Sequence, residues 1–134
     1  MASEHAIQIF GFINLVVIGL SMLLRPIFWS NFFAWLARQG EAGGLAYGCI
    51  CLSFGSLVVA FHRVWHGLLV LYTLAGWFDV VLGIVCLLLP ATGLRLVSWA
   101  ATDRPVVCRF CGLICLVVGA VIAIALISGG SFVL

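Results

Sequence analysis

The hydrophobic positions of this chain fall into four nearly unbroken stretches, at roughly 6–24, 43–61, 67–89 and 107–128, and most of the charges lie between them. Each stretch holds about 18–23 residues, close to the ~20 that a helix rising 1.5 Å per residue needs to cross ~30 Å of hydrocarbon. Backbone N–H and C=O groups find no water in that layer, so such segments must bond internally as helices. A barrel would instead need alternating segments of about ten residues. The pattern predicts an all-α membrane protein, residues 1–134 forming a single transmembrane domain.

The stretches are related in pairs. Displacing the sequence by 64 positions lays Gly19 on Gly83, Pro26 on Pro90 and Trp35 on Trp99. The same shift lays Gly48, Cys51, Leu52 and Gly55 on Gly112, Cys115, Leu116 and Gly119. A shift one residue longer aligns Gly11 with Gly76 and Asn14 with Asp79. A tandem repeat of two-helix units is therefore expected, the first spanning about 6–62 and the second about 67–128. Each unit crosses twice, so both enter the membrane in one direction, and a pseudo-two-fold axis along the membrane normal is predicted.

The connections after the first and third stretches are not plain loops. Residues 26–38 carry Phe28, Trp29, Phe32, Phe33 and Trp35 behind Pro26, a composition suited to a short interfacial helix with its rings at the boundary. The segment after Pro90, with Leu94, Leu96, Val97 and Trp99, predicts a shorter and weaker counterpart. Thr102 or Asp103 ahead of Pro105 reads as the cap of the fourth spanning helix.

Composition agrees with the pattern. Apolar residues make up 66% of the chain and charged residues only 7%, far from the near-quarter charged share of soluble domains. The net charge of +2 comes from six arginines without a lysine, too few for a nucleic-acid surface. Arg25, Arg38, Arg95, Arg104 and Arg109 flank the first and third connections, against Arg63 alone in the second. The positive-inside rule then places those connections in the cytoplasm and both termini outside. Residues 1–5 lack a basic leader, so the first stretch is expected to be a retained helix rather than a cleaved signal.

Asp79 is the outstanding candidate for chemistry. It lies near the middle of the third stretch, where an ionised carboxylate costs about 2.5–3.5 kcal/mol on insertion scales. Such a group must face other helices, and be protonated or hydrogen-bonded. Gly76, Asp79 and Gly83 share one helix face by their spacing, and small residues there let a neighbour approach closely. Asp79 reads either as a proton- or cation-handling group with Asn14 as its repeat mate, or as a packing residue bonded to Asn14, Ser53 or Tyr72.

The six cysteines and three histidines raise the question of a metal. Cys108, Cys111 and Cys115 have spacing that a soft cation could use. Yet Gly48-Cys51-Gly55 and Gly112-Cys115-Gly119 are repeat mates, which reads as small-residue stripes with cysteine as a compact filler. Disulfides are not expected in a reducing cytoplasm. His62 and His66, one turn apart beside Arg63, read as interfacial polar caps, with metal or porphyrin ligation as the sharper alternative. No covalent-haem motif, phosphate-binding glycine loop or nucleophile–base–acid set is present in the sequence. Neither enzymatic activity nor a resident cofactor is expected, with lipid, pigment or haem left open.

The spacing from Gly19 to Pro26 and the run Gly76-Trp77…Gly83…Leu87-Leu88-Leu89-Pro90 resemble those of small four-helix integral membrane proteins of bacteria. The resemblance implies the architecture and a bacterial inner membrane; those proteins have no agreed activity, so it supplies no site residues. The glycine stripes predict a protein that works by association, as an accessory subunit of a membrane complex or as a homo-oligomer. The competing expectation is a small proton- or ion-coupled transporter or channel using Asp79 near the midplane. The partners expected are membrane lipids and other membrane subunits or a second copy, with no nucleic acid.

Overall fold

A computed structural model describes residues 2–63, 65, 67, 69–101 and 105–128. Among these the chain is helical and contains no strand: α1 (Ala2–Leu24), α2 (Pro26–Arg38), α3 (Glu41–Phe61), α4 (Val70–Leu88), α5 (Pro90–Ala101) and α6 (Pro105–Ile127). Four helices, α1, α3, α4 and α6, are long and apolar enough to span a membrane. The protein is an all-α, four-span membrane protein.

Prolines punctuate it. Pro26, Pro90 and Pro105 each open a helix, where a missing N–H costs nothing and the fixed φ suits the first turn. A proline also clashes with the turn before it, so α1 ends at Leu24 and α4 at Leu88, one residue short of α2 and α5. Between α2 and α3 the chain turns at Gly40, whose φ of +64° disfavours residues with a side chain. Arg38 in the last turn of α2 and Glu41 in the first turn of α3 complement the dipoles of their helix ends. Thr102 and Asp103, expected as caps of α6, lie outside the described residues.

The pairing of helices follows a pattern of its own. α3 packs most extensively on α4, and α1 on α6, while α1 touches α3 and α4 touches α6 only sparsely. The bundle is thus two tight pairs with a thin seam between them. At one end α2 packs across α5, joined by the Ser30 hydroxyl donating to the Ala101 carbonyl at 3.3 Å. α5, expected to be weak, has 12 residues against 13 in α2. Packing against α2, α3 and α4 supports it, with Val97 fully enclosed.

Glycines make both pairs possible, and their contacts correspond position by position. A methyl group on Gly48 would meet Cys86 Cβ at 2.8 Å, the Gly83 carbonyl at 3.2 Å and Leu87; one on Gly112 would meet the Gly19 carbonyl at 2.8 Å, Met22 Cβ at 2.9 Å and Leu23. Every contact in the second set lies 64 residues from its counterpart in the first. Lipid is as apolar as leucine, so such close van der Waals fit, rather than a hydrophobic drive, holds membrane helices together.

Two apolar clusters close the ends of the bundle. Met22, Phe33, Leu36, Val97 and Cys108, with Trp29 and Tyr47 against them, fill the α2–α5 end. Val58, Leu69, Tyr72, Val118 and Ile122, with Phe12, Leu15 and Phe54 alongside, fill the opposite end. The aromatics expected at a membrane boundary divide between two roles. Phe28, Phe32 and Trp35 face outward, whereas Phe33 is buried and Trp29 turns inward to donate from Nε1 to the Ser21 hydroxyl at 3.0 Å.

Candidate functional site: the Asp79 layer between two helix pairs

Asp79 lies halfway along α4 and between the two clusters. On α4 the buried positions are Tyr72, Thr73, Gly76, Gly83 and Cys86. Asp79 falls seven residues after Tyr72 and seven before Cys86, along one edge of that stripe. The edge is turned inward because Gly55 of α3 leaves room for it. A methyl group on Gly55 would lie 2.6 Å from the Val80 nitrogen and 2.9 Å from Asp79 Cβ. The carboxylate is partly buried, with Tyr47 and Cys51 of α3 and Cys115 of α6 in its neighbourhood. These residues come from both pairs, so Asp79 sits at the seam.

None of the partners anticipated for Asp79 bonds to it. Asn14 donates from Nδ2 to the Phe10 carbonyl of its own helix at 2.9 Å. Ser53 is exposed and lines an outward-facing groove of about 540 Å³ with Phe10, Cys49, Ile50, Phe54 and Leu57. The Tyr72 hydroxyl donates to the Ile7 carbonyl of α1 at 3.3 Å. No hydrogen bond to the Asp79 carboxylate forms among the described residues.

The structure also corrects the pairing of Asn14 with Asp79. A methyl group on Gly119 would contact Val16 and Leu15, as one on Gly55 contacts Val80 and Asp79. Leu15 therefore occupies the place on α1 that Asp79 occupies on α4. At this position the packing follows the 64-residue spacing rather than the one-residue slip, since Leu15 and Val16 lie 64 residues before Asp79 and Val80.

The cysteines serve different surroundings. Cys51, Cys86 and Cys108 are buried and Cys115 is half-buried, whereas Cys49 and Cys111 face outward; all are free thiols. Cys108 packs with Met22, Phe33, Leu36 and Val97, so it and the outward-facing Cys111 do not converge on a common point. Among the described residues no three His, Cys, Asp or Glu side chains come together as a metal site. His66 lies outside the described residues. His62 does not cap a surface: it is 1% exposed, with its ring 5.0 Å from that of Tyr72. Its backbone N–H closes α3 on the Val58 carbonyl at 2.8 Å, and the chain then folds the imidazole inward.

Tyr47 and Gly11 were not singled out from the sequence as parts of one site, and Tyr72 was anticipated only as a bonding partner of Asp79. Tyr47 links the Asp79 layer to the α2–α5 cluster through an edge contact with Phe33, centroids 6.0 Å apart. Tyr72 and Gly11 meet across the seam, Gly11 leaving space for the tyrosine ring. For Tyr72 the available signal was the heptad interval to Asp79; for Gly11 there was none beyond its small size.

No family model, curated protein or solved structure matches this chain.

Proposed function

We propose that this chain is a small proton- or cation-coupled membrane transporter or channel whose working group is Asp79, with no enzymatic step. One observation carries the reading: the carboxylate stands at mid-span, inside the bundle, at the thin seam between two glycine-locked helix pairs. Carboxylates at that depth are costly and characteristically line ion or proton paths. Two stiff pairs joined by a sparse seam also provide bodies that can shift against each other around a fixed site, the usual basis of alternating access. The matched spacing of the helices and of the glycine contacts supports a duplicated two-helix unit, and hence a pseudo-two-fold through this seam.

The association reading loses its first motive, because Gly48, Gly55, Gly76, Gly83, Gly112 and Gly119 all meet helices of the same chain. A different observation keeps it as the second reading. Only 22–28% of each spanning window is buried within the bundle, which leaves broad apolar faces for lipid, other subunits or a second copy.

The two readings part on Asp79→Asn in reconstituted vesicles. A transporter loses proton or cation flux while its oligomeric state and helicity persist. Undiminished flux, or altered assembly in its place, would remove Asp79 from the transport role. An inner membrane with the α2–α5 end in the cytoplasm is supported by Arg25, Arg38 and Arg95 gathering at that end while Arg63 lies at the other.

A further inference from the structure

Apolar clusters lie on either side of Asp79 along the bundle, and the two differ in construction. At the α2–α5 end two extra helices cross over the spans, and a buried apolar cluster lies beneath them. At the other end the described closure is made of side chains alone, with Tyr72 at its centre. Tyr72 is 1% exposed and crosses the seam: its ring rests in the space left by Gly11, and its hydroxyl bonds to the Ile7 carbonyl. This bond ties α4 to α1 across the seam. The His62 ring packs against that of Tyr72, centroids 5.0 Å apart. Tyr72 also stands two helical turns from Asp79 on the same edge of α4, about 10 Å along the axis.

We propose that Tyr72, seated on Gly11 and bonded to Ile7, is the gate of the Asp79 site, and that water and the transported ion reach the carboxylate from the end opposite α2 and α5. The inference rests on Asp79 being the working group. The gate opens when Tyr72 releases Ile7 and its ring leaves the Gly11 hollow, parting α1 from α4 while each remains locked to its own glycine-packed partner. The α2–α5 crossing acts as the hinge. No covalent change is involved; one hydrogen bond and one ring contact are exchanged for water.

The native thiols of Cys51 and Cys115, neighbours of Asp79, report whether water enters. A membrane-impermeant cationic methanethiosulfonate is applied in turn to each face of sealed vesicles holding the full chain, and modification is mapped by mass spectrometry. Tyr72→Phe keeps the ring and deletes the bond. Labelling of Cys51 and Cys115 from the face bearing residues 62–69 should rise roughly fivefold, the shift that one net hydrogen bond of about 1 kcal/mol supports. Labelling from the α2–α5 face should not change. Gly11→Ala, which forces the ring out, should raise it at least as much, whereas Ser30→Ala at the hinge end should not. An unchanged rate in Tyr72→Phe of native helicity, or an equal rise from both faces, would overturn the gate. Its failure is separable from that of the transport reading. If Asp79→Asn leaves flux intact but the labelling asymmetry appears, the gate stands without the carboxylate's role. Lost flux with unchanged labelling removes the gate alone.

Discussion

The α3–α4 and α1–α6 pairs share one packing scheme and differ at its centre. In both, a glycine at the middle of one helix lets the partner's backbone come close: Gly55 under Asp79 and Val80, Gly119 under Leu15 and Val16. The leucine side is ordinary membrane packing. The aspartate side brings the backbones closer, a methyl group on Gly55 falling 2.6 Å from the Val80 nitrogen against 3.7 Å from the Val16 nitrogen for one on Gly119, and places a carboxylate where its counterpart has a leucine. A packing role alone gives no reason for the difference; on the proposed transport role, the working group belongs to one pair and the scaffold to both.

The largest test of that comparison adds the charge to the wrong pair. Leu15→Asp should destabilise the bundle by about 3 kcal/mol, the insertion cost of a carboxylate at mid-depth, read from reversible unfolding in bicelles. A cost near zero would mean that both pairs are built to accept a charge. Next come the glycines. Gly55→Ala drives a methyl group to 2.6 Å from the Val80 nitrogen, which cannot swing aside, whereas at its counterpart Gly119 it first meets a valine methyl at 3.0 Å. Costs of about 2–3 kcal/mol and under about 1 kcal/mol are expected respectively, since overpacking is expensive only where neighbours cannot move. Equal costs would show that the two pairs are equally tight. Asp79→Leu, which makes the α3–α4 pair imitate the other, should stabilise the fold by about 2 kcal/mol, because exchanging a buried polar group for well-packed hydrocarbon often does so. Destabilisation would assign Asp79 to packing. The smallest effect belongs to Cys111→Ser, on an outward face, expected within about 0.5 kcal/mol; a larger change would reveal an occupied surface.

Most of the architecture is legible in the chain, and the reasons are physical. Span length and proline placement follow from bilayer thickness and backbone chemistry, so the four spans and the breaks before Pro26 and Pro90 can be read directly. Which helix pairs with which cannot. In lipid almost every face is apolar, so the pattern that tells inside from outside in a soluble helix is nearly absent. The 64-residue correspondence identifies Gly48 and Gly112 as equivalent without saying that they face α4 and α1. Asp79 stands out because charge in hydrocarbon is rare. Its supposed relation to Asn14 came from allowing a slip that the close-packed backbones do not allow. His62 looked like a boundary residue from its neighbours Arg63 and Trp65. Its burial depends on how the chain bends after Phe61, which the residue types around it do not encode.

The α1–α6 pair bears on how the protein is made. α3 and α4 are neighbours in sequence and can dock as soon as the second of them leaves the ribosome. α1 is synthesised first, yet its glycine-fitted partner is the last helix described. Throughout the synthesis of the intervening chain, Gly19 and the groove around it face lipid or whatever other helix is near. α1 is therefore the element most open to mispairing during biogenesis, and the interlocked halves acquire their shared seam only once α6 has been made.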